Sequence, residues 1–91
     1  AIRLDSNEYE PYFYLGEIYA KKENYEESIK NHEESIAKNE NNIFSMYRLG
    51  ELYLKIGKKE VSLKYLENAL SIDSKYKDAF NLKNQILKNE F

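Results

Sequence analysis

The chain has 91 residues, 42% of them hydrophobic and 33% charged, and a mean hydropathy of −0.81. That length suits one small domain, and no apolar run approaches the ~18–20 residues of a membrane-spanning helix. Cysteine is absent, which excludes disulfides, thiolate metal sites and a cysteine nucleophile, and three Gly and one Pro argue against a loop-rich or all-β design. A net charge of −2 argues against a dedicated nucleic-acid binder, whose affinity comes from neutralised phosphates. The charge is unevenly spread. Residues 1–45 hold five basic and ten acidic side chains, or −5; residues 46–91 hold nine and six, or +3. A solvated surface with chance asymmetry is the simpler explanation, and end-to-end association the sharper one.

Sliding the sequence against itself by 34 residues exposes a repeat. Leu15-Gly16-Glu17 falls on Leu49-Gly50-Glu51, Tyr19 on Tyr53 and Lys21 on Lys55, while Glu26, Ser28, Lys30 and Glu33 fall on Glu60, Ser62, Lys64 and Glu67. Ala1-Ile2 joins the same frame opposite Ser35-Ile36 and Ala69-Leu70. Residues 1–8 then form the tail of a preceding repeat, 9–42 and 43–76 are two full repeats, and 77–91 open a third as a C-terminal capping helix.

Taken in chain order, the spacing predicts five helices, over 10–22, 26–38, 44–56, 60–72 and 78–90. Pro11 suits the first turn of the first helix. Tyr12, Leu15, Gly16 and Tyr19 recur at i, i+3, i+4 and i+7 as an apolar stripe, and Met46, Leu49, Gly50 and Tyr53 repeat it in the third helix. In the second helix Ser28, Ile29, His32, Ser35 and Ile36 form the stripe; in the fourth Ser62, Leu63, Leu66, Ala69 and Leu70 do. Asn24 and Gly57 suit the left-handed residue closing the first helix of each pair. Polar clusters at 39–42 and 73–75 separate the units. Gly16 and Gly50 lie on apolar stripes where Gly costs ~1 kcal/mol against Ala, which makes sense if another helix axis approaches there. Ser28 and Ser62 supply the matching small residues.

This pattern resembles the tetratricopeptide repeat, a helix–turn–helix unit of 34 residues. Tyr12, Leu15, Gly16, Tyr19, Ser28, His32 and Ser35 stand at the family's positions in the first unit. Met46, Leu49, Gly50, Tyr53, Ser62, Leu66 and Ala69 stand there in the second. Ala79-Phe80 opens a third unit that diverges at Lys83-Asn84, as a solvating cap does. The family's closing Pro is replaced by Glu40 and Ser74, and His32 takes an aromatic's place. The resemblance implies an all-α fold, a right-handed solenoid of helix–turn–helix repeats. Ala1–Asp5 looks like the end of a second helix, so the chain is expected to belong to a longer array with an N-terminal stacking face open to self-association.

The resemblance also implies a scaffold that holds a partner's peptide or helix in a concave groove lined by the first helices. Projected onto this sequence, the groove takes Glu10, Phe13, Glu17, Ala20 and Lys21 from the first unit and Phe44, Tyr47, Arg48, Glu51, Leu54 and Lys55 from the second. Asp78, Asn81, Gln85 and Lys88 join from the cap. Phe13, Phe44 and Tyr47 are not demanded by the core stripe and are candidate anchors, although they could equally pad the core's edge. Glu17/Glu51 and Lys21/Lys55 would run as ladders along the groove or pair at i, i+4. The chaperone-tail binders of this family grip a carboxylate with Lys and Asn four residues apart on the first groove helix. Here those places hold Phe13 and Glu17, then Tyr47 and Glu51, so a chaperone C-terminal tail is not expected as partner.

Catalysis finds little support. Glu26-Glu27 and Glu33-Glu34 fall mostly on outer faces, His32 sits on an apolar stripe without a second nitrogen ligand, and no phosphate loop or nucleophile motif occurs. The expectation is a non-enzymatic protein-binding module with no cofactor, no metal, no nucleic acid and no membrane partner. A structural spacer or self-association segment of a larger protein is the alternative. The cytoplasm is the default compartment.

Overall fold

The computed structural model describes residues 9–88. Five helices follow one another: α1 (Tyr9–Lys21), α2 (Tyr25–Lys38), α3 (Ile43–Lys55), α4 (Lys59–Ile72) and α5 (Lys77–Leu87). Each begins one residue before its expected start. At α3 the cause is visible: Asn42 is the N-cap, its side-chain oxygen accepting from the Ser45 amide at 3.4 Å. The last helix, expected to run to 90, has Lys88 as its C-cap, and residues 89–91 lie outside the described residues.

Helices α1 and α2 form one hairpin, α3 and α4 a second, and α5 packs on α4. Both hairpins close through the same device. The Ser28 hydroxyl donates to the Gly16 carbonyl at 2.7 Å, and the Ser62 hydroxyl to the Gly50 carbonyl at 2.6 Å. A Cβ on Gly16 would lie 2.5 Å from the His32 ring, and one on Gly50 2.7 Å from a Leu66 methyl. The small residues are therefore needed where the helices cross.

The two junctions after these hairpins differ in chemistry. Between the second hairpin and α5 the core is apolar, built on Met46, Leu66, Ala69, Ala79 and Ile86 with Tyr76 packed against it. The first junction combines an apolar cluster of Ile29, Leu49 and Leu52 with a buried polar one. There the Asn42 amide donates to the hydroxyls of Ser35 (2.9 Å) and Ser45 (3.2 Å), Ser45 bonds Ser35 at 3.1 Å, and His32 Nδ1 lies 3.1 Å from Ser45 Oγ. The repeat frame maps His32, Ser35, Asn42 and Ser45 onto Leu66, Ala69, Tyr76 and Ala79, so one scaffold carries a polar joint and an apolar one. Against the first junction's apolar cluster, Tyr53 and Tyr65 stack at 5.8 Å and share the Glu33 carboxylate (2.7 and 3.1 Å), pinning α2 to the second hairpin.

Two expectations need correction. Leu15, placed on the buried stripe, is 41% exposed, and Ile18 is 48% exposed, whereas their repeat equivalents Leu49 and Leu52 are 0% and 3%. Helix α2 covers the face of α3, and among the described residues no helix covers the corresponding face of α1. The expected end of a preceding helix at 1–8 lies outside the described residues. The left-handed residue closing α1 is Glu23 (φ 61°), not Asn24, which instead takes the N-cap position of α2 without a side-chain capping bond. Gly57 (φ 84°) takes the left-handed position in the second hairpin as expected, and Glu23 is its equivalent at a spacing of 34.

A non-glycine residue in this conformation is strained by about 1–2 kcal/mol. Because Glu23 is exposed, Glu23→Gly should raise the unfolding free energy by about 0.5–1 kcal/mol, measured by urea denaturation; a loss would contradict the strain.

Candidate functional site

Helices α1, α3 and α5 present one face to a shared groove, where three cavities follow one another. The first, about 440 Å³, is lined by Phe13, Tyr14, Glu17, Ala20, Lys21, Tyr25, Arg48, Glu51, Leu52 and Lys55. The second, about 310 Å³, is lined by Phe13, Phe44, Tyr47, Arg48, Tyr76 and Asp78. The third, about 300 Å³, is lined by Glu51, Leu54, Lys55 and Leu82. Phe13 and Arg48 are shared by the first two, and Glu51 and Lys55 by the first and third. The three therefore read as one continuous surface.

Arg48 organises its centre. Its Nε meets Glu17 at 2.9 Å and its Nη1 meets Glu51 at 2.8 Å, linking the two hairpins through three partly buried charges. The carboxylates expected to pair with lysines one turn on are held by this guanidinium instead, which leaves Lys21 and Lys55 exposed on the groove. His32 lies beneath, fully buried, its Nε2 without a hydrogen-bond partner and 3.8 Å from Glu17. Burial, and then the Arg48 charge, push its pKa down to about 4. The ring is neutral at pH 7, so its contact with Glu17 is not an ion pair.

The sequence-predicted residues divide plainly. Phe13, Glu17, Ala20, Lys21, Phe44, Tyr47, Arg48, Glu51, Leu54, Lys55 and Asp78 all line the cavities, whereas Glu10 on α1, Asn81 and Gln85 on α5 and its C-cap Lys88 are exposed outside them. Leu82 and Asp78 are the α5 residues that face the groove. Of the three candidate anchors only Phe44 is exposed, at 58%. Phe13 is half-buried, edge-on to His32 at 5.3 Å, and Tyr47 packs on the apolar core and edge-on to Tyr76. Each of those two is core edge and cavity wall at once. Tyr14, Tyr25 and Tyr76 also line the cavities and were not anticipated. Tyr76 was legible in the repeat frame as the partner of Asn42, but the polar cluster preceding it marked the segment as a mere turn.

The tetratricopeptide repeat family model matches residues 9–42 and 45–76. The chain belongs to the tetratricopeptide repeat family. No curated protein sequence is similar enough to count as a match. Among solved structures, the second TPR domain of Spaghetti (RPAP3), bound to the HSP90 peptide SRMEEVD, superposes with a TM-score of 0.89. It is 23% identical, over 96% of this chain and 81% of that one. The crystal structure of MamA superposes with a TM-score of 0.75 at 20% identity, covering 98% of this chain and 62% of that one. At these identities the likeness shows the fold.

Within the repeat, a histidine where the second unit has Leu66 gives the fold a pH dependence. The native ring resists protonation until about pH 4, while the unfolded ring takes its proton near 6.5. Stability is therefore complete above about pH 6.5 and falls as pH drops toward 4, by about 2–3 kcal/mol. Urea denaturation of the parent and His32→Leu at pH 7.5 and 4.5 should show the variant gaining by that amount relative to the parent at the lower pH. A difference independent of pH would contradict the buried neutral ring.

Proposed function

We propose that this repeat pair is a non-catalytic module that holds a peptide or helix of a partner protein along the α1–α3–α5 groove. The observation that carries the reading is the run of three cavities on one face, joined by shared residues and edged by an uncovered aromatic, Phe44. Concave, largely aromatic surfaces with a few placed charges suit peptide capture. Family membership supports the reading, as does the Spaghetti domain's peptide-bound state.

The proposed partner is not an acidic chaperone tail. Phe13 and Glu17, and again Tyr47 and Glu51, occupy the positions where tail-binding relatives place Lys and Asn. The one guanidinium at the centre is already engaged by two carboxylates. At the centre of the groove an acidic peptide would meet Glu17 and Glu51 with Arg48 already engaged by both, and like-charge contacts weaken association.

A second reading, self-association, is favoured by the exposed apolar residues Leu15 and Ile18 on α1. Sedimentation equilibrium separates the two: a monomer near 10.9 kDa favours the groove, and a concentration-dependent dimer dispersed by Ile18→Lys favours the α1 face.

Selection of random dodecapeptides against the protein, followed by fluorescence polarisation, tests the groove. Selected peptides should lose at least about tenfold in affinity with Phe44→Ala or Lys55→Glu at unchanged helicity, and SRMEEVD should not compete. Peptides indifferent to both substitutions, or competition by SRMEEVD, would contradict the proposal.

A further inference from the structure

The second groove cavity offers a ligand something the other two do not. Four rings, Phe13, Phe44, Tyr47 and Tyr76, wall it, and Arg48 and Asp78 complete it. Phe44 meets Tyr76 at 5.8 Å with planes 81° apart, and Tyr47 meets Tyr76 at 5.8 Å and 66°. Edge-on packing turns ring faces in different directions around one space, and a ring face attracts cations through its quadrupole. Tyr47 already does so, with the Arg48 guanidinium 5.8 Å from its ring centre.

The formal charges point the same way. Arg48 is matched by Glu17 and then outweighed by Glu51 and Asp78, so these four groups sum to −2. The phenols register that field: burial first, then the carboxylates of Glu51 and Asp78, push Tyr47 up to about 12 and Tyr76 above its usual value. The size selects further. About 310 Å³ stands at the small end of ligand pockets and suits one long side chain. An apolar side chain there would give the Asp78 carboxylate no partner, whereas a cation would complement it. A planar guanidinium can stack on a ring and fork to a carboxylate together, whereas an ammonium is a point charge that does neither in plane.

We propose that this cavity anchors one arginine side chain of the segment held in the groove, its guanidinium lying against the rings of Phe44 and Tyr76 and paired with the carboxylate of Asp78. The proposal rests on the groove reading and adds the chemistry of the residue that fixes the partner's register.

The test uses N-acetyl-arginine methylamide as probe and N-acetyl-norleucine methylamide as its uncharged counterpart, each titrated into the ¹⁵N-labelled chain. Arginine should give saturable shifts at the amides of Phe44, Tyr47 and residues 76–79. Asp78→Asn and Phe44→Ala, both at exposed positions, should each weaken that binding by about three- to tenfold. Norleucine should give no saturable shift there. Absence of a saturable arginine shift, equal binding of norleucine, or arginine binding indifferent to both substitutions would each overturn the anchor. The groove reading is judged with selected peptides rather than this probe, so the two can fail separately.

Discussion

The structure depends on how closely two helices can cross. At Gly16 and Gly50 the absence of a Cβ lets the His32 ring and the Leu66 side chain lie against the backbone of the facing helix. The seryl hydroxyls of Ser28 and Ser62 tie each crossing by bonding the glycine carbonyl. Glycine inside a helix costs ~1 kcal/mol in propensity, and in the second hairpin burial of the facing Leu66, fully removed from water, offsets it. With the hairpins closed, the first helices α1 and α3 align beside α5, and the groove is the surface they leave between them. The cavities are thus a consequence of packing on the opposite side of the same helices.

The junction between the hairpins then sets what the groove contains. Beside its apolar cluster it buries a polar one, His32 with Ser35, Asn42 and Ser45, and its groove edge is the Glu17–Arg48–Glu51 bridge. Partly exposed ion pairs of this kind add little stability. They also consume the central cation, so the groove is acidic around its aromatic cavity and basic only at Lys21 and Lys55. The next junction replaces every polar member by an apolar one, which places Tyr76 in the groove wall where its equivalent Asn42 is interior.

The fold was legible because the repeat states it twice. The doubled Leu-Gly and the serines twelve residues on specify the crossing, and the spacing of 34 carries each element onto its counterpart. The groove was projected from the family resemblance, and for α1 and α3 the helical period carried that projection onto Phe13, Glu17, Tyr47 and Glu51, all of which line the cavities. The projection held less well for α5, because a single helix without a partner repeat leaves its rotation open, and Leu82 rather than Asn81 and Gln85 faces the cavity. The exposure of Leu15 could not be read from its place on the apolar stripe, since a residue's burial depends on what packs against it. Glu23 was hidden for another reason: an acidic residue gives no sign of a positive φ, and only strict use of the repeat frame, through Gly57, points to it. The role of Arg48 as a link between hairpins is a tertiary contact that one-dimensional spacing does not contain.

The central claim is that the glycine crossing holds the hairpins, and Gly16→Ala tests it most directly. By helix propensity alone, alanine should stabilise α1 by about 1 kcal/mol. A Cβ 2.5–2.9 Å from three atoms of the buried His32 ring should instead lower the unfolding free energy by about 1–3 kcal/mol. Urea denaturation of parent and variant decides by sign: a loss is the predicted result, and unchanged or increased stability would show that the close crossing is not what the structure depends on.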